Sequence, residues 1–310
     1  MSIFKTSLKE TLAKHKLWLE SHGESGQRFS AAGTNFEKVD LSGANLSKVN
    51  LSGANLSGAN LSGANLQEAT LFGIKLIESK LNDADLSAAM LSGAELQGAT
   101  MQRAVLTEAL LCEANLTGAD LSHANLVKAN LSLGIPEFVK AKNIQALFLG
   151  NSLGNPIPSI AASATIIQTN LQEMNLTGAN LSEANLDFAN LFGANLIGAN
   201  LSNAKLFAVN LSKANLSEAN LHGADLFRVQ ALDTDFSSAN FTDACIEDWT
   251  VDRDTKFDQV ICDSIYLRHI LKSLPDYILR KYSDRRPFNP KNKFAQGDFV
   301  KFISKGTLTE

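Results

Sequence analysis

The sequence predicts an all-β solenoid, on three observations. An apolar residue occupies every fifth position from Phe36 to Leu131, and it is Leu throughout except at Phe36 and Met101. Alanine stands two residues before nearly every one of these, as at Ala54, Ala59, Ala64 and Ala94. The two residues that follow are turn formers, typically Ser and Gly, as in LSGANLSGANLSGANL from Leu51 to Leu66. A helix cannot use this spacing, because at about 100° per residue steps of five scatter the leucines around the cylinder. Gly and Asn every few residues oppose a helix further. In an extended segment residues two apart share a face, so the Ala and Leu of one pentad point inward while the Asn between them points outward. Each pentad is then one very short strand and one corner.

Such a unit cannot bury its own leucine, and only a stack of them closes a core. The motif, read as Ala54-Asn55-Leu56-Ser57-Gly58, resembles that of the pentapeptide-repeat family, over about two thirds of the chain. The resemblance implies a right-handed quadrilateral β-helix with four pentads to a coil. A second phased block runs from near Ile166 to Ile246, through ANLSEANLDFANLFGANLIGANL. The two blocks hold 20 and 17 pentads, hence roughly nine coils and a rod of roughly 45 Å at about 4.8 Å per stacked strand. An interior filled with Leu and Ala leaves no cavity of the several hundred Å³, in order of magnitude, that small ligands occupy.

The chain divides into an N-terminal helical cap (1–33), a first repeat block (34–133), an insertion (134–163), a second block (164–248) and a C-terminal cap and tail (249–310). The open ends of a solenoid need covering. At the first end Phe4, Leu8, Leu12 and Leu19 recur at helical spacing, and Ser7 with Glu10 reads as a capping box. The insertion, with Pro136, Pro156 and Pro158, reads as a side excursion holding a short helix from about Pro136 to Ala146. Leu131 and Ile166 stand 35 residues apart, a multiple of five, which suits one solenoid better than two. The tail, CIEDWTVDRDTKFDQVICDSIYLR and RRPFNPKNKFAQGDFVKF, is similar to that of cyanobacterial members of the family, implying a cyanobacterial source and a mixed helical cap. Its bases, including Arg280, Lys281, Arg285 and Arg286, read as solvated or laid on an acidic rod rather than as a nucleic-acid patch.

Composition bounds the function. With 45% hydrophobic residues and a net charge of −4, the chain is neither a disordered polyampholyte nor a basic nucleic-acid binder. Cys112, Cys245 and Cys262 lack C-x-x-C spacing and fit a reducing compartment. The N-terminus has no secretory pattern, and no apolar run approaches the roughly 20 residues of a membrane span, so a soluble, cytoplasmic protein is expected. His15, His22, His123, His222 and His269 are scattered without metal-ligand spacing, and no phosphate loop or nucleophile elbow is present. No catalytic residue, cofactor or metal is expected.

Recognition is therefore expected on the outer surface, where the repeat falters. With 20 residues per coil, Met90 and Leu110 fall in one outward column with Val105 on the neighbouring face, and Phe207 and Phe227 form a second outward pair. These five are the candidate interaction residues of a non-catalytic scaffold or regulator with a protein partner, no small-molecule substrate, and an end cap that could also join two copies into a homodimer. The family resemblance offers one alternative, a DNA-mimic protector of gyrase or another topoisomerase, which needs rows of carboxylates. Stacked Asn dominates the outward position instead, with Asp at Asp40, Asp85, Asp120 and Asp225, although the second block is more acidic. A second alternative is a ligand or enzymatic site where insertion and tail meet.

Overall fold

The computed structural model describes residues 2–132, 169–274, 277–287, 289, 292–295 and 297–306. The expected short helix in the insertion and a second-block start at residue 164 lie outside them. The chain forms a right-handed quadrilateral β-helix. Outward residues pair in parallel with those 20 positions on, giving four columns of isolated bridges. The first face runs from Ser30 through Thr70, Met90, Leu110 and Asn130 to Asn185, Lys205, Asp225 and Cys245, then to Tyr266. That column makes ten steps, so at about 4.8 Å each the rod is roughly 48 Å long. It is a coil longer than the pentad count implied, because the ladder begins at Ser30 and continues past 248.

Coils are joined by main-chain bonds. Leu51 N–H donates to Thr70 O at 2.9 Å, Asn50 N–H to Phe29 O at 3.1 Å, and Ala54 N–H closes the corner on Leu51 O at 3.0 Å. The corner requires positive φ at its second residue, which Gly53 adopts at 65° without side-chain strain but which Lys48, Glu68 and Ala88 adopt as well. Asparagine precedes the corner because its Oδ1 accepts the N–H two residues on, as Asn50 does from Ser52 at 3.1 Å. The same side chains also ladder between coils: Asn200 Nδ2 donates to Asn180, Asn220 to Asn200 and Asn240 to Asn220, at 3.1–3.3 Å. Inside, central residues from Leu46 to Leu226 and their alanines are almost wholly buried in one continuous core.

The two blocks are one solenoid. Across the gap the pairing step of 20 becomes 55, as in Asn115 with Asn170 and Asn130 with Asn185, so 35 extra residues leave and re-enter at one corner without changing the phase. The break in the ladder is bridged by a side chain. The buried Thr169 hydroxyl accepts the Glu113 N–H at 3.0 Å and donates to Ser132 O at 3.2 Å; those two backbone groups would otherwise bond each other, as Glu108 N–H and Val127 O do.

Both ends are covered. α1 (Ser2–Glu20) already includes Ser7 and Glu10, so the expected helix start at these residues does not stand at its N-terminus. Its buried His15 sits on the first coil: Nδ1 accepts the Phe29 N–H at 3.0 Å and Nε2 lies 3.0 Å from Ser47 O, with Trp18 stacked on the ring. At the other end β1 (Gln230–Ala231), β2 (Ala244–Cys245) and β3 (Thr250–Val251) belong to the last coils. One extra residue enters near Asp252, where the pairing step becomes 21. Phe236, Phe241, Trp249 and Phe257 then fill the interior, and Phe299 of α2 (Asp298–Gly306) packs on Phe241, the rings tilted and their centroids 5.4 Å apart. The expected helical tail holds in α2 only, since β4 (Ile265–Leu274) and β5 (Tyr277–Arg286) form an antiparallel hairpin continuing the first face from Cys245.

Candidate functional site

The four faces are rigid, flat and largely polar, so a functional surface must be sought where side chains depart from Asn, Ser and Gly. Met90 and Leu110 are such a departure. They are bridged to each other on adjacent coils of the first face and remain 37% and 40% exposed. Their outward position follows from the pentad, whose inward places are taken by Ala89, Leu91, Ala109 and Leu111. Val105, on the preceding face between Asp85 and Asn125, is half-buried. Phe72, at the corner following the first face on the coil next to that of Met90, is a further exposed apolar residue at 44%. The sequence signal for it was present, an aromatic residue directly after a central Leu.

Phe207 and Phe227 do not form the exposed column expected of them. Both are buried, although neither joins the interior core. Their rings pack with centroids 5.3 Å apart, Phe188 meets Phe207 edge-on at 5.0 Å, and the Arg228 guanidinium lies 5.1 Å above Phe227. The neighbouring outward residues Asp225 and Cys245 are also fully buried. These phenylalanines form an apolar cluster outside the solenoid, on the part of the first face that ends in the hairpin, and they are not a free surface.

Part of the surface charge is paired along the columns. Lys48 pairs with Glu68, Lys75 with Glu95, Arg103 with Asp83, Lys128 with Glu183 and Lys256 with Asp235, each across adjacent coils at 2.7–3.8 Å. The carboxylates on the faces are used within the fold. Burial works against the Asp120 anion, but bonds from Ser122, Gln102 and Asn175 outweigh it and lower its pKa. Burial pushes the Cys245 and Cys262 thiols up to about 12, so neither is a ready nucleophile. Among the described residues no group of His, Cys, Asp and Glu is arranged to hold a metal, and no helix is long and apolar enough to cross a membrane. A half-open cavity of about 320 Å³ lies at the C-terminal end between Ile261, Phe294 and Phe299; its lining is mainly apolar.

The geometry agrees with comparison to known proteins. The family model for pentapeptide repeats matches in 8 copies, over residues 34–73, 69–107, 99–132, 169–207 and 204–243. No curated protein matches the chain. Among solved structures, HetL from the cyanobacterium Nostoc sp. strain PCC 7120, a pentapeptide repeat protein involved in heterocyst differentiation regulation, is 29% identical over 77% of this chain and 86% of its own, with a TM-score of 0.42. Rfr23 from the cyanobacterium Cyanothece 51142 is 25% identical over 48% of this chain and 91% of its own, with a TM-score of 0.29. Full-length QnrB1, a plasmid-mediated fluoroquinolone resistance protein, is 15% identical over 76% and 92%, with a TM-score of 0.31. With the repeat model covering more than half of its residues, the chain belongs to the pentapeptide repeat family.

Proposed function

We propose that the protein is a non-catalytic scaffold or regulator that binds a protein partner on the first face of its rod. The observation that carries this is the Met90–Leu110 pair, two large apolar side chains left in solvent on a ladder whose outward positions are otherwise mostly polar. Exposed apolar ledges on rigid scaffolds serve as contact sites, and a rod held by main-chain bonds at every coil binds with little change of shape. A DNA-mimic function would require uninterrupted acid along a face. Here Lys80 and Lys256 interrupt the column holding Asp40, Asp120 and Asp235, and cross-coil ion pairs take up several carboxylates, Asp83, Glu95 and Asp235 among them, so that reading has less support.

The test compares affinity capture by the native chain and by a Met90→Asp/Leu110→Asp variant with unchanged circular dichroism, followed by calorimetry on the purified captured protein. A stoichiometric partner lost by the variant supports the reading. A partner held equally by both places recognition elsewhere and sinks it.

A further inference from the structure

Resting on that reading, we infer that the ledge takes a basic, apolar segment of its partner: a short stretch with one or two large aliphatic side chains flanked by Arg or Lys. The two corners flanking Met90 hold only Ser87, Ala88, Ser92 and Gly93, so the methionine stands clear of its neighbours along the coil. The next coil raises Leu110 between Glu108 at the preceding corner and Glu113 at the following one. The charges around this strip are unevenly satisfied. Lys128, at the same corner as Glu108 on the adjoining coil, is taken by Glu183 at 3.8 Å, whereas Glu108 and Glu113 have no ion pair among the described residues. Among the described residues the cation of the adjoining coil is therefore already paired, and the two glutamates beside Leu110 are not.

An apolar segment with acidic flanks would meet like charge on both sides of Leu110, while basic flanks meet two free carboxylates. Uncharged flanks would leave the carboxylates hydrated and gain only the apolar contact. The geometry thus selects partners by the charge beside their apolar anchor, a discrimination that Met90 and Leu110 alone cannot make.

Two fluorescein-labelled peptides test it, sharing one core of Leu, Val and Ile, one flanked by arginines and the other by glutamates. They are titrated against the native chain, Met90→Asp/Leu110→Asp, and Glu108→Gln/Glu113→Gln at low and high salt. The expected result is binding of the arginine peptide alone, weakened about two- to fivefold per glutamate replaced, which is the rim-charge scale, weakened again by salt, and abolished by the apolar double variant. Equal binding of both peptides, lost only with Met90 and Leu110, would overturn the basic partner and leave the ledge in place. No binding of the arginine peptide, or binding that neither variant alters, would also overturn the inference and leave the scaffold reading to its own capture experiment.

Discussion

Protonating His15 should release the N-terminal cap. The neutral ring is a double connector: its Nδ1 accepts the Phe29 N–H and its Nε2–H donates to Ser47 O, both at 3.0 Å, on a side chain with no solvent exposure. Burial lowers its pKa first, the bond to Ser47 O acts the other way, and the Arg28 charge lowers it further. With the folded pKa below the unfolded one, the unfolded chain binds more protons in acid. The contribution of His15 is then complete above the ordinary value of about 6.5 and is lost as pH falls below it, by up to about 1.4 kcal/mol per pH unit until the folded pKa is passed. The magnitude of removal follows from the contacts. His15→Phe keeps a ring against Trp18 and Phe29 but orphans a buried N–H, at a cost of about 1–3 kcal/mol. His15→Ala also loses ring contacts worth about 0.5–1.5 kcal/mol, so it should stand about 1.5–4.5 kcal/mol below the native chain. Because coils open locally in a solenoid, the assay is amide exchange over residues 14–50, read as the ratio of variant to native rates at each pH so that the intrinsic pH dependence cancels. The native chain should lose protection below about pH 6.5, and His15→Phe should be unprotected by comparison but level across that range. A native chain whose protection, so corrected, stays flat from pH 7 to pH 5 would refute the double-connector account.

Three further outcomes are expected. Thr169→Val should lower the denaturation midpoint, with a cost of about 1–3 kcal/mol for the Glu113 N–H left without an acceptor, whereas Thr169→Ser should recover most of it. Ala88→Gly should stabilise by up to about 1 kcal/mol in the same assay, because Ala88 has φ of 55° at an exposed corner and the relief of left-handed strain exceeds the added chain entropy. A thiol reagent at pH 8 should leave Cys245 and Cys262 unmodified in the folded chain, their thiols being held at about 12 by burial, and react with both after denaturation.

The solenoid was legible because one constraint repeats: Leu and Ala inward, Asn on the corner N–H, a turn pair outside. Where that constraint is local, as at Leu51 through Leu66, sequence and structure agree residue by residue. The coils at either end were hidden by departures from it. Phe29 and Ser30 precede the leucine phase, and the extra residue near Asp252 ends the period while the ladder goes on. Met90 and Leu110 could be placed in one column by counting in twenties, since exposure there depends on the pentad alone. Phe207 and Phe227 could not, because an identical position in the pentad is exposed at Phe72 and buried at these two, and the difference lies in what stands beside the corner. The bonds of His15 and Thr169 were equally invisible, each joining groups more than ten residues apart by a contact that no period marks.

The twenty-residue step also makes rotational phase a heritable property of this molecule. Removing one whole coil would shorten the rod and leave every column running true. Removing a single pentad would be almost silent inside, since Leu would still follow Leu and the main-chain ladder would still close. Everything downstream would nevertheless turn by a quarter revolution relative to everything upstream. Lys128 would no longer stand over Glu183, and the Phe207–Phe227 cluster and the hairpin would swing to a different side from Met90 and Leu110. The segment spliced between Ser132 and Thr169 avoids this by leaving and rejoining at one corner. Deletions in multiples of five but not of twenty would thus change the relative azimuth of surface features while preserving the fold, much as a dial is reset without altering its mechanism.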